Sequence, residues 1–174
     1  LNEKMSWEVN VLAGYQLIEK CIERNAKKFI FASSGSVYGL KDDPKVTEDL
    51  DLVPISAYNK TKMIAERVFM SFDDKIEVFN IRPATVCGVS ERMRLDLSVN
   101  MLTYQAIKNN VINIFGGSQI RPNIHIDDLV DVYMHFFEQD HVKGIYNAGF
   151  ENLKIIEIAN IIKSKTNAFL NIDD

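Results

Sequence analysis

Two residues four positions apart, Tyr58 and Lys62 in the stretch YNKTK, have side chains that could transfer a proton together. At this spacing both side chains lie on one face of a helix, one turn apart. A tyrosine hydroxyl, with an ordinary pKa of about 10, is a poor base at neutral pH, but a neighbouring ammonium favours the phenolate and lowers its pKa. The pair therefore predicts an acid/base group, and a solvated helix face is the alternative interpretation.

A group of hydroxyls stands earlier in the chain, in SSGSVYGL at residues 33–40. It directly follows the apolar run KKFIFA, where small hydroxyl residues and glycines contribute little to packing. The segment is either a simple turn or part of a site. A hydroxyl from this loop could hold a substrate oxygen against the phenol of Tyr58. A serine, a tyrosine and a lysine together suit the interconversion of an alcohol and a ketone.

The elements that must position these groups follow from the hydrophobic pattern. Residues 6–24 carry apolar residues at helical spacing and predict a helix that stops near Asn25. The stretch KKFIFAS is apolar on both faces, as expected of a strand buried in a parallel sheet. Residues 39–55 predict a loop, and Ser56 is expected to cap a helix that runs to about Phe72. The other predicted elements are the strand KIEVFNIRP, the helix LSVNMLTYQAIKN, the strand VINIF, the helix HIDDLVDVYMHFFEQ, the strand and turn GIYNAG, and the helix ENLKIIEIANIIKSK.

This alternation of strands and helices predicts an α/β fold with a largely parallel sheet. Ligands of such sheets bind outside the carboxyl ends of the strands. The stretch SSGSVYG follows one of these ends, so the serine loop lies where a ligand site is expected.

Composition narrows the classes of function. The 174 residues suffice for one ordinary domain, and 47% hydrophobic with 25% charged residues is typical of a soluble globular protein. A net charge of −4 gives no electrostatic basis for binding nucleic acid. No apolar run approaches the roughly 20 residues that span a bilayer, no signal-peptide pattern opens the sequence, and no metal-ligand spacing occurs. Cys21 and Cys87 predict buried thiols in a reducing compartment rather than a disulfide framework, so a cytoplasmic location is expected.

The order of the motifs resembles the extended short-chain dehydrogenase/reductase family, the NAD-dependent epimerases and dehydratases of nucleotide sugars. The resemblance implies a partial Rossmann-type, doubly wound parallel sheet in residues 1–88. It also implies a mainly substrate-binding α/β region in residues 89–174, from which segments around 122–140 return to the Rossmann domain. The segments that carry the resemblance are VNVLAGYQLIEKCIERNAKKFIFASSGSVYG, TEDLDLVPISAYNKTKMIAE, NIRPATVCG, IFGGSQIRPNIHIDDLVD and GIYNAG.

The resemblance implies a catalytic set of one serine, one tyrosine and one lysine. Ser34 matches the catalytic serine or threonine that holds the substrate oxygen, and Tyr58 matches the acid/base. Lys62 would lower the pKa of that tyrosine and hydrogen-bond the nicotinamide ribose. The cofactor would be NAD, with NADP as the alternative, and Ser33 would line it or satisfy backbone groups. The residues expected to contact the cofactor are Ser33, Tyr58, Lys62, Pro83 and Ala84.

The same resemblance implies substrate contacts in the later part of the chain. Arg121 matches the arginine that binds the substrate diphosphate, a task that suits the bidentate fork of a guanidinium. A surface ion pair is the alternative. Phe115 falls where the family packs the nucleotide base, although it could also be a core residue. Asn100 matches an asparagine that touches the nucleotide sugar, Thr85 stands where asparagine is usual, and His125 is expected to be a packed, hydrogen-bonded residue.

Gly35 and Ser36 depart from the family's dehydratases, which carry a glutamate at the second position and often an aspartate at the first. Elimination of water needs an acid and a base at the reacting carbons. The predicted activity is therefore 4-epimerisation of a nucleotide-activated sugar through a transient 4-keto intermediate. The alternatives are a reductase or dehydratase of the same family, or a catalytically silent NAD(P)-binding regulatory or scaffold relative. A homodimer that pairs helices 6–24 and 56–72 is also expected.

The family's N-terminal G-x-x-G-x-x-G segment, whose glycines let the backbone approach a pyrophosphate, has no counterpart among the eight glycines of this sequence. The first residues match a helix that lies well inside the family pattern, and the last residues stop before the end of the usual substrate domain. We therefore expect a middle-and-end fragment of a longer enzyme, and no strong NAD binding by this fragment alone.

Overall fold

The computed structural model describes residues 2–41, 43 and 45–173. They form two compact units: residues up to Ala84 together with Val130–Ala148, and Thr85–Leu129 together with the residues from Gly149 onward. The sequence predicted a change of domain after residue 88 and a returning segment around 122–140. In the structure the first change falls after Ala84, and the returning segment is Val130–Ala148.

The first unit begins with a long helix, α1, built from the segments Glu3–Trp7, Glu8–Ala13 and Gly14–Glu23. The middle segment is π-helical. Asn2 caps the start, because its side-chain oxygen accepts a hydrogen bond from the backbone N–H of Met5 at 3.2 Å. The helix ends at Glu23, close to the predicted stop at Asn25, whose φ of 56° is the left-handed conformation that asparagine tolerates better than most residues.

Three parallel strands in the order β1–β2–β6 form the sheet of the first unit: β1 Lys28–Ala32, β2 Glu77–Pro83 and β6 Gly144–Ala148. The central strand β2 is buried, whereas in β1 only Phe29 is buried and Ala32 is exposed. The prediction that the KKFIFAS strand is buried on both faces was therefore wrong. Within the described residues β1 pairs with β2 alone, so one of its edges has no strand beside it.

The helix α2, Ala57–Met70, packs against α1 and β1 through Phe69, whose side chain is fully buried. The ring of Phe69 lies 4.9 Å from that of Phe29 and 4.7 Å from that of Phe31, measured between centroids. Gly14 allows α1 to approach, since a Cβ at that position would lie 2.5 Å from Cζ of Phe69. These contacts fix α2, the helix that carries the predicted catalytic tyrosine and lysine, against the sheet.

The second unit contains two small sheets. One has the order β3–β5–β7, with β3 Thr85–Cys87 parallel to β5 Ile120–His125 and β7 Glu151–Lys154 antiparallel to it. The other pairs β4 Val111–Phe115 with β8 Phe169–Asp173 in parallel. The helices α3 Ser98–Asn109 and α5 Ile155–Thr166 pack on this second sheet. The core that they share contains Leu102, Ala106, Ile112, Ile114, Ile158, Ala159, Ile162 and Ala168.

The remaining helix, α4 Ile126–Glu138, starts in the second unit and continues into the first. The sequence predicted a helix over residues 151–165, but residues 151–154 form β7 and the helix begins only at Ile155. Residues 39–55 form no helix or strand at their described positions, as predicted; positions 42 and 44 lie outside the described residues. None of the helices in the described ranges has the length and apolarity to cross a bilayer.

Candidate active site

Tyr58 and Lys62 lie in the first two turns of α2, and both are half-buried. The Nζ atom of Lys62 lies 5.7 Å from the ring centroid of Tyr58 and 4.6 Å from that of Phe31. It donates a hydrogen bond of 2.8 Å to the backbone carbonyl of Ala32, at the end of β1. Burial lowers the pKa of Lys62. The alternative of a solvated helix face is therefore wrong for this pair.

Lys62 also connects α2 to the serine loop, because Ala32 directly precedes that loop. The loop continues as a short 3₁₀ turn, Gly35–Tyr38, for which Ser34 is the N-cap. In the parallel register Ala32 lies opposite Ile81, so the loop starts beside the carboxyl end of β2. The sheet and α2 thus place the serine loop and the Tyr58–Lys62 pair in the same part of the first unit.

The hydroxyls of Ser34 and Ser36 lie 2.7 Å apart, and Ser36 in turn donates to the side-chain oxygen of Asn59 at 2.7 Å. The oxygen of Ser34 also accepts a hydrogen bond of 3.2 Å from the backbone N–H of Ser36. Asn59 follows Tyr58 on α2, where Ser56 accepts from its backbone N–H at 3.2 Å. Nothing in the sequence pattern pointed to Asn59, since the contact with Ser36 spans 23 positions.

Ser33 faces a different environment from Ser34. It is buried, its backbone N–H donates to the carbonyl of Ile81 at 2.8 Å, and its hydroxyl donates to the carboxylate of Glu66. Its backbone N–H thus bonds a backbone carbonyl, and its hydroxyl bonds a buried side chain. Contact of Ser33 with a cofactor remains a prediction.

The carboxylate of Glu66 is paired with a guanidinium inside the first unit. Arg82 donates to it twice, through Nε at 2.9 Å and Nη2 at 2.7 Å, and the two side chains are only 1% and 2% exposed. Burial by itself would lower the pKa of Arg82. The hydrogen bonds to Glu66 and the negative charge of that carboxylate outweigh this effect, so the pKa is raised. Sequence reasoning assigned no role to either residue, although an arginine in a strand as apolar as EVFNIRP must find a partner if it is buried.

A second set of hydrogen bonds extends this ion pair toward β6. Arg82 Nη1 donates to the hydroxyl of Tyr38 at 2.7 Å, and that hydroxyl donates to the side-chain oxygen of Asn147 at 2.8 Å. The backbone N–H of Asn147 donates to the carboxylate of Glu48 at 2.7 Å. One hydrogen-bond network, buried at Glu66 and Arg82 and exposed at Glu48, therefore joins α2, β2, β6, the serine loop and the loop after it.

Pro83, one of the two predicted neighbours of the nicotinamide, is the last residue of β2, and Ala84, the other, directly follows it. Ala84 donates its backbone N–H to the carbonyl of Ala148 at 2.7 Å. Gly35 comes close to this strand end, since a Cβ there would lie 3.2 Å from the carbonyl oxygen of Pro83. The aspartate that dehydratases often carry at position 35 would be crowded against β2 in this chain. Tyr133, which the sequence did not single out, also belongs here: burial raises its pKa, and the charge of Tyr58 adds to that effect.

The second unit contains a cleft of about 380 Å³. Three of the four predicted substrate residues of this part of the chain line it, namely Thr85, Phe115 and Arg121. Phe115 is 75% exposed, so the alternative of a core residue is wrong. Within the described residues no carboxylate forms an ion pair with Arg121, which leaves its guanidinium available to an anion. The contacts of all three residues with a substrate remain predictions.

Asn100, the fourth predicted substrate residue, does not line this cleft. It is buried, donates to the carbonyl of Arg94 at 3.1 Å and accepts from the backbone N–H of Gly88 at 3.2 Å. These bonds hold the segment between β3 and α3, so its polar atoms serve the backbone. The side chain of His125 is 48% exposed, so the prediction of a packed residue was wrong; its Nδ1 accepts a hydrogen bond of 3.3 Å from the backbone N–H of Asp127. In the described part of the chain no three His, Cys, Asp or Glu side chains are grouped as a metal site.

Comparison with known proteins places these features in a family. Residues 2–149 match the NAD dependent epimerase/dehydratase family. The chain belongs to this family, whose members are NAD-dependent enzymes, and its α/β fold with parallel sheets is the Rossmann-type fold predicted from the sequence.

Two curated relatives illustrate the range of activities in the family. An uncharacterized UDP-glucose epimerase, YtcB of Bacillus subtilis (strain 168), is 31% identical over 159 residues, which are 88% of this chain and 49% of the relative. The dTDP-4-dehydro-6-deoxyglucose reductase of Escherichia coli is 29% identical over 164 residues, 91% of this chain and 52% of the relative. The chain therefore spans about half the length of the curated relatives it matches.

A solved structure of similar fold is that of UDP-glucuronic acid 4-epimerase from Bacillus cereus in complex with UDP-glucuronic acid and NAD. It matches with a TM-score of 0.82 at 30% identity, over 95% of this chain and 54% of that chain. Epimerases and a reductase are thus both among the relatives, so the comparison supports the family rather than one of its reactions.

Proposed function

We propose that this chain carries the proton-transfer residues of an NAD-dependent enzyme that inverts carbon 4 of a nucleotide-activated sugar. The observation that carries the proposal is the position of Lys62, which lies beside the ring of Tyr58 and is hydrogen-bonded to Ala32 at the start of the serine loop. This arrangement holds an ammonium next to a phenol in a half-buried place, where the ammonium favours the phenolate. The phenol can then act as an acid/base at neutral pH.

The residues present fit NAD at this site. An ammonium has three donors and Ala32 takes one, so two N–H groups of Lys62 remain for the hydroxyls of a ribose. Pro83 and Ala84 offer a small, half-buried surface beside them. When bound, NAD supplies the group that accepts a hydride from the sugar and later returns it.

The protein's own residues handle the oxygen and its proton. Tyr58 Oη takes the proton of the sugar's 4-hydroxyl and gives it back when the hydride returns, so there is no net change in redox state. Ser34 Oγ holds the reacting oxygen. Arg121 binds the diphosphate with its bidentate fork, a grip that leaves the sugar free to turn its other face. Thr85 and Phe115 contribute to the nucleotide-sugar site from the same cleft, and Asn100 supports it through the segment it holds.

Epimerisation is favoured over dehydration because positions 35 and 36 are glycine and serine, and Ser36 is already bonded to Ser34 and Asn59. A carboxylate for elimination is absent from both positions. A reductase remains the second candidate, supported by the 29% identity to the Escherichia coli reductase. The two reactions differ in their use of cofactor: a reductase consumes one reduced cofactor for each product, whereas an epimerase consumes none.

Incubation of the full-length protein with NAD and a panel of UDP-, ADP- and dTDP-hexoses tests the proposal. Conversion of one sugar to its 4-epimer, followed by NMR with no accumulation of NADH, is the expected result. Tyr58→Phe should lower the rate by about 10²–10⁴-fold. Stoichiometric consumption of NADPH with a 4-keto sugar would show the reductase instead. An unchanged rate in Tyr58→Phe would overturn the assignment of the acid/base.

We also propose that the full-length protein is a cytoplasmic homodimer. Several apolar side chains of α1 are exposed, including Met5, Val9 and Leu12 at 57%, 60% and 58%. Such a row is unusual for a free helix face and suits a helix that pairs with a second copy. Sedimentation of the full-length protein as a dimer and of Leu12→Glu as a monomer would support this assignment, and a monomeric wild-type protein would contradict it.

A further inference from the structure

Three polar side chains form a chain of hydrogen bonds that ends at the predicted catalytic serine: Asn59, Ser36 and Ser34. We propose that Asn59 and Ser36 are positioning residues, which set whether the hydroxyl of Ser34 accepts a hydrogen bond from the substrate or donates one to it. This inference rests on the proposed function, because it concerns the oxygen at carbon 4 of the sugar.

The direction of the hydrogen bonds follows from the atoms involved. An amide oxygen can only accept, so Ser36 must use its single proton in the 2.7 Å bond to Asn59 Oδ1. Ser34 must then donate its own proton to Ser36 across 2.7 Å. In this state Ser34 can offer a substrate only a lone pair. It can accept from the 4-hydroxyl of the sugar until Tyr58 takes that proton, but it cannot donate to a ketone oxygen.

Oxidation of the sugar requires Ser34 to change from a hydrogen-bond acceptor to a hydrogen-bond donor. An alcohol has a proton to donate, whereas a ketone oxygen can only accept. A serine whose proton is held by another group leaves the ketone with the hydrogen bond from the protonated Tyr58 alone. The 4-keto intermediate therefore needs the Ser34 proton to turn toward it.

A half-turn of the Asn59 amide reverses the whole chain. The amide then presents Nδ2, which donates to Ser36; Ser36 donates to Ser34; and the Ser34 proton is free for the ketone oxygen. Every proton stays on its own atom, and only the hydroxyls and the amide rotate. Within the described residues the Nδ2 group of Asn59 donates no hydrogen bond, so the rotation breaks only the bond to Ser36. Hydrogen bonds in such a chain strengthen one another, which favours reversal as a unit.

The anchoring of the two residues suits this role. Ser56 caps the start of α2 and holds the backbone N–H of Asn59 at 3.2 Å, so the amide starts from a fixed turn of helix. Ser36 lies inside the 3₁₀ turn Gly35–Tyr38, whose far end is held by the buried hydroxyl of Tyr38 in the Arg82 network. The heavy atoms are thus held in place while the terminal groups can rotate.

Substitutions of Asn59 separate this role from a merely structural one. Asn59→Asp keeps the shape but can only accept, so it locks the Ser34 proton away from the ketone. Asn59→Ala removes the acceptor and lets Ser36 donate to Ser34. We expect kcat to fall in the order wild type, Asn59→Ala, Asn59→Asp, the last by about tenfold or more with KM nearly unchanged. A structural role predicts the opposite order, because aspartate replaces asparagine with less disturbance than alanine.

Two controls complete the kinetic test. Because Asn59→Asp adds a charge, kcat is measured over the full pH profile and the variants are compared at the maximum of each profile. Ser36→Ala should lower kcat by about tenfold, and Ser36→Thr, which keeps the hydroxyl, should restore it. A maximal kcat of Asn59→Asp above that of Asn59→Ala, or an unchanged kcat in Ser36→Ala, would overturn the proposal.

A neutron structure of the full-length protein without sugar shows the directions of these hydrogen bonds directly, without any turnover. The expected map has the Ser34 deuteron directed to Ser36 and the Ser36 deuteron directed to Asn59. The opposite order in this state would overturn the proposal whatever the reaction is. A wild-type protein that converts no nucleotide sugar would instead refute the proposed function, so the two failures are distinguishable.

Discussion

Replacement of Glu66 by leucine is expected to destabilise the first unit strongly, because it leaves the guanidinium of Arg82 buried without its partner. The Glu66 carboxylate accepts bonds of 2.9 and 2.7 Å from Arg82, whose residual partners are the hydroxyl of Tyr38 at 2.7 Å and a backbone carbonyl at 3.5 Å. The two lost hydrogen bonds to Arg82 amount to about 3–6 kcal/mol, and the buried hydroxyl of Ser33 loses its bond to the same carboxylate as well. The buried leucine returns about 1–2 kcal/mol. A net loss of about 3 kcal/mol follows, at the lower edge of values for broken buried ion pairs.

Amide hydrogen exchange of α2 and β2 in the full-length protein measures this loss locally, since both elements must open together to expose the pair. A loss of about 3 kcal/mol corresponds to roughly 100-fold faster exchange of these amides. Arg67→Leu, an exposed neighbour on the same helix, is the matched control and should change exchange little.

The double variant Glu66→Leu with Arg82→Met tests the cause. Removal of both charges should restore stability to within about 1 kcal/mol of the wild type, because no unpaired charge stays buried. Exchange less than about threefold faster in Glu66→Leu would refute the reasoning from the ion pair. A double variant as unstable as the single one would also refute this reasoning, since the lost stability would then come from packing.

Three other changes test separate parts of the structure. Burial lowers the pKa of Lys62, so the folded protein loses this proton at a lower pH than the unfolded chain. Between that lowered pKa and about 10.5, urea titrations should therefore show the wild type gaining stability relative to Lys62→Met as the pH rises. A stability difference that stays constant or falls with pH would contradict the burial of Lys62. Gly39→Ala should cost about 2 kcal/mol or more in thermal unfolding, because φ is 75° and the new Cβ would lie 2.2 Å from the carbonyl oxygen of Val53; a cost near zero would place the loop elsewhere. Arg121→Ala should raise KM for a nucleotide sugar by about 10–100-fold with a smaller effect on kcat, whereas the exposed Lys163→Ala should change neither; equal effects in steady-state assays would remove the diphosphate role.

Much of the fold was predictable because most of its helices and strands have a hydrophobic pattern within their own sequence. The helix α2 was predicted to within two residues, since Ser56 is a good N-cap and the apolar residues that follow repeat at helical spacing. The strands β2, β4 and β6 are short apolar runs and were also recognised.

The strands that were missed depend on their partners. Ile120–His125 contains Pro122 and the polar Arg121 and Asn123, so it lacks any strand pattern of its own; it is a strand because β3 and β7 pair with it. Glu151–Lys154 runs directly into a helix, and its apolar Leu153 continued the helical spacing into the strand.

The sequence by itself determined the helices, the order of the motifs and the identity of Ser34, Tyr58 and Lys62 as candidates, since each depends on residue types at short spacing. Only the tertiary structure decided what these groups touch. The bonds of Glu66 to Arg82 and of Asn59 to Ser36 join residues 16 and 23 positions apart on different elements. Residue types alone cannot show such contacts, because each depends on how a helix packs against a strand end and on which polar atoms are left without water once it does.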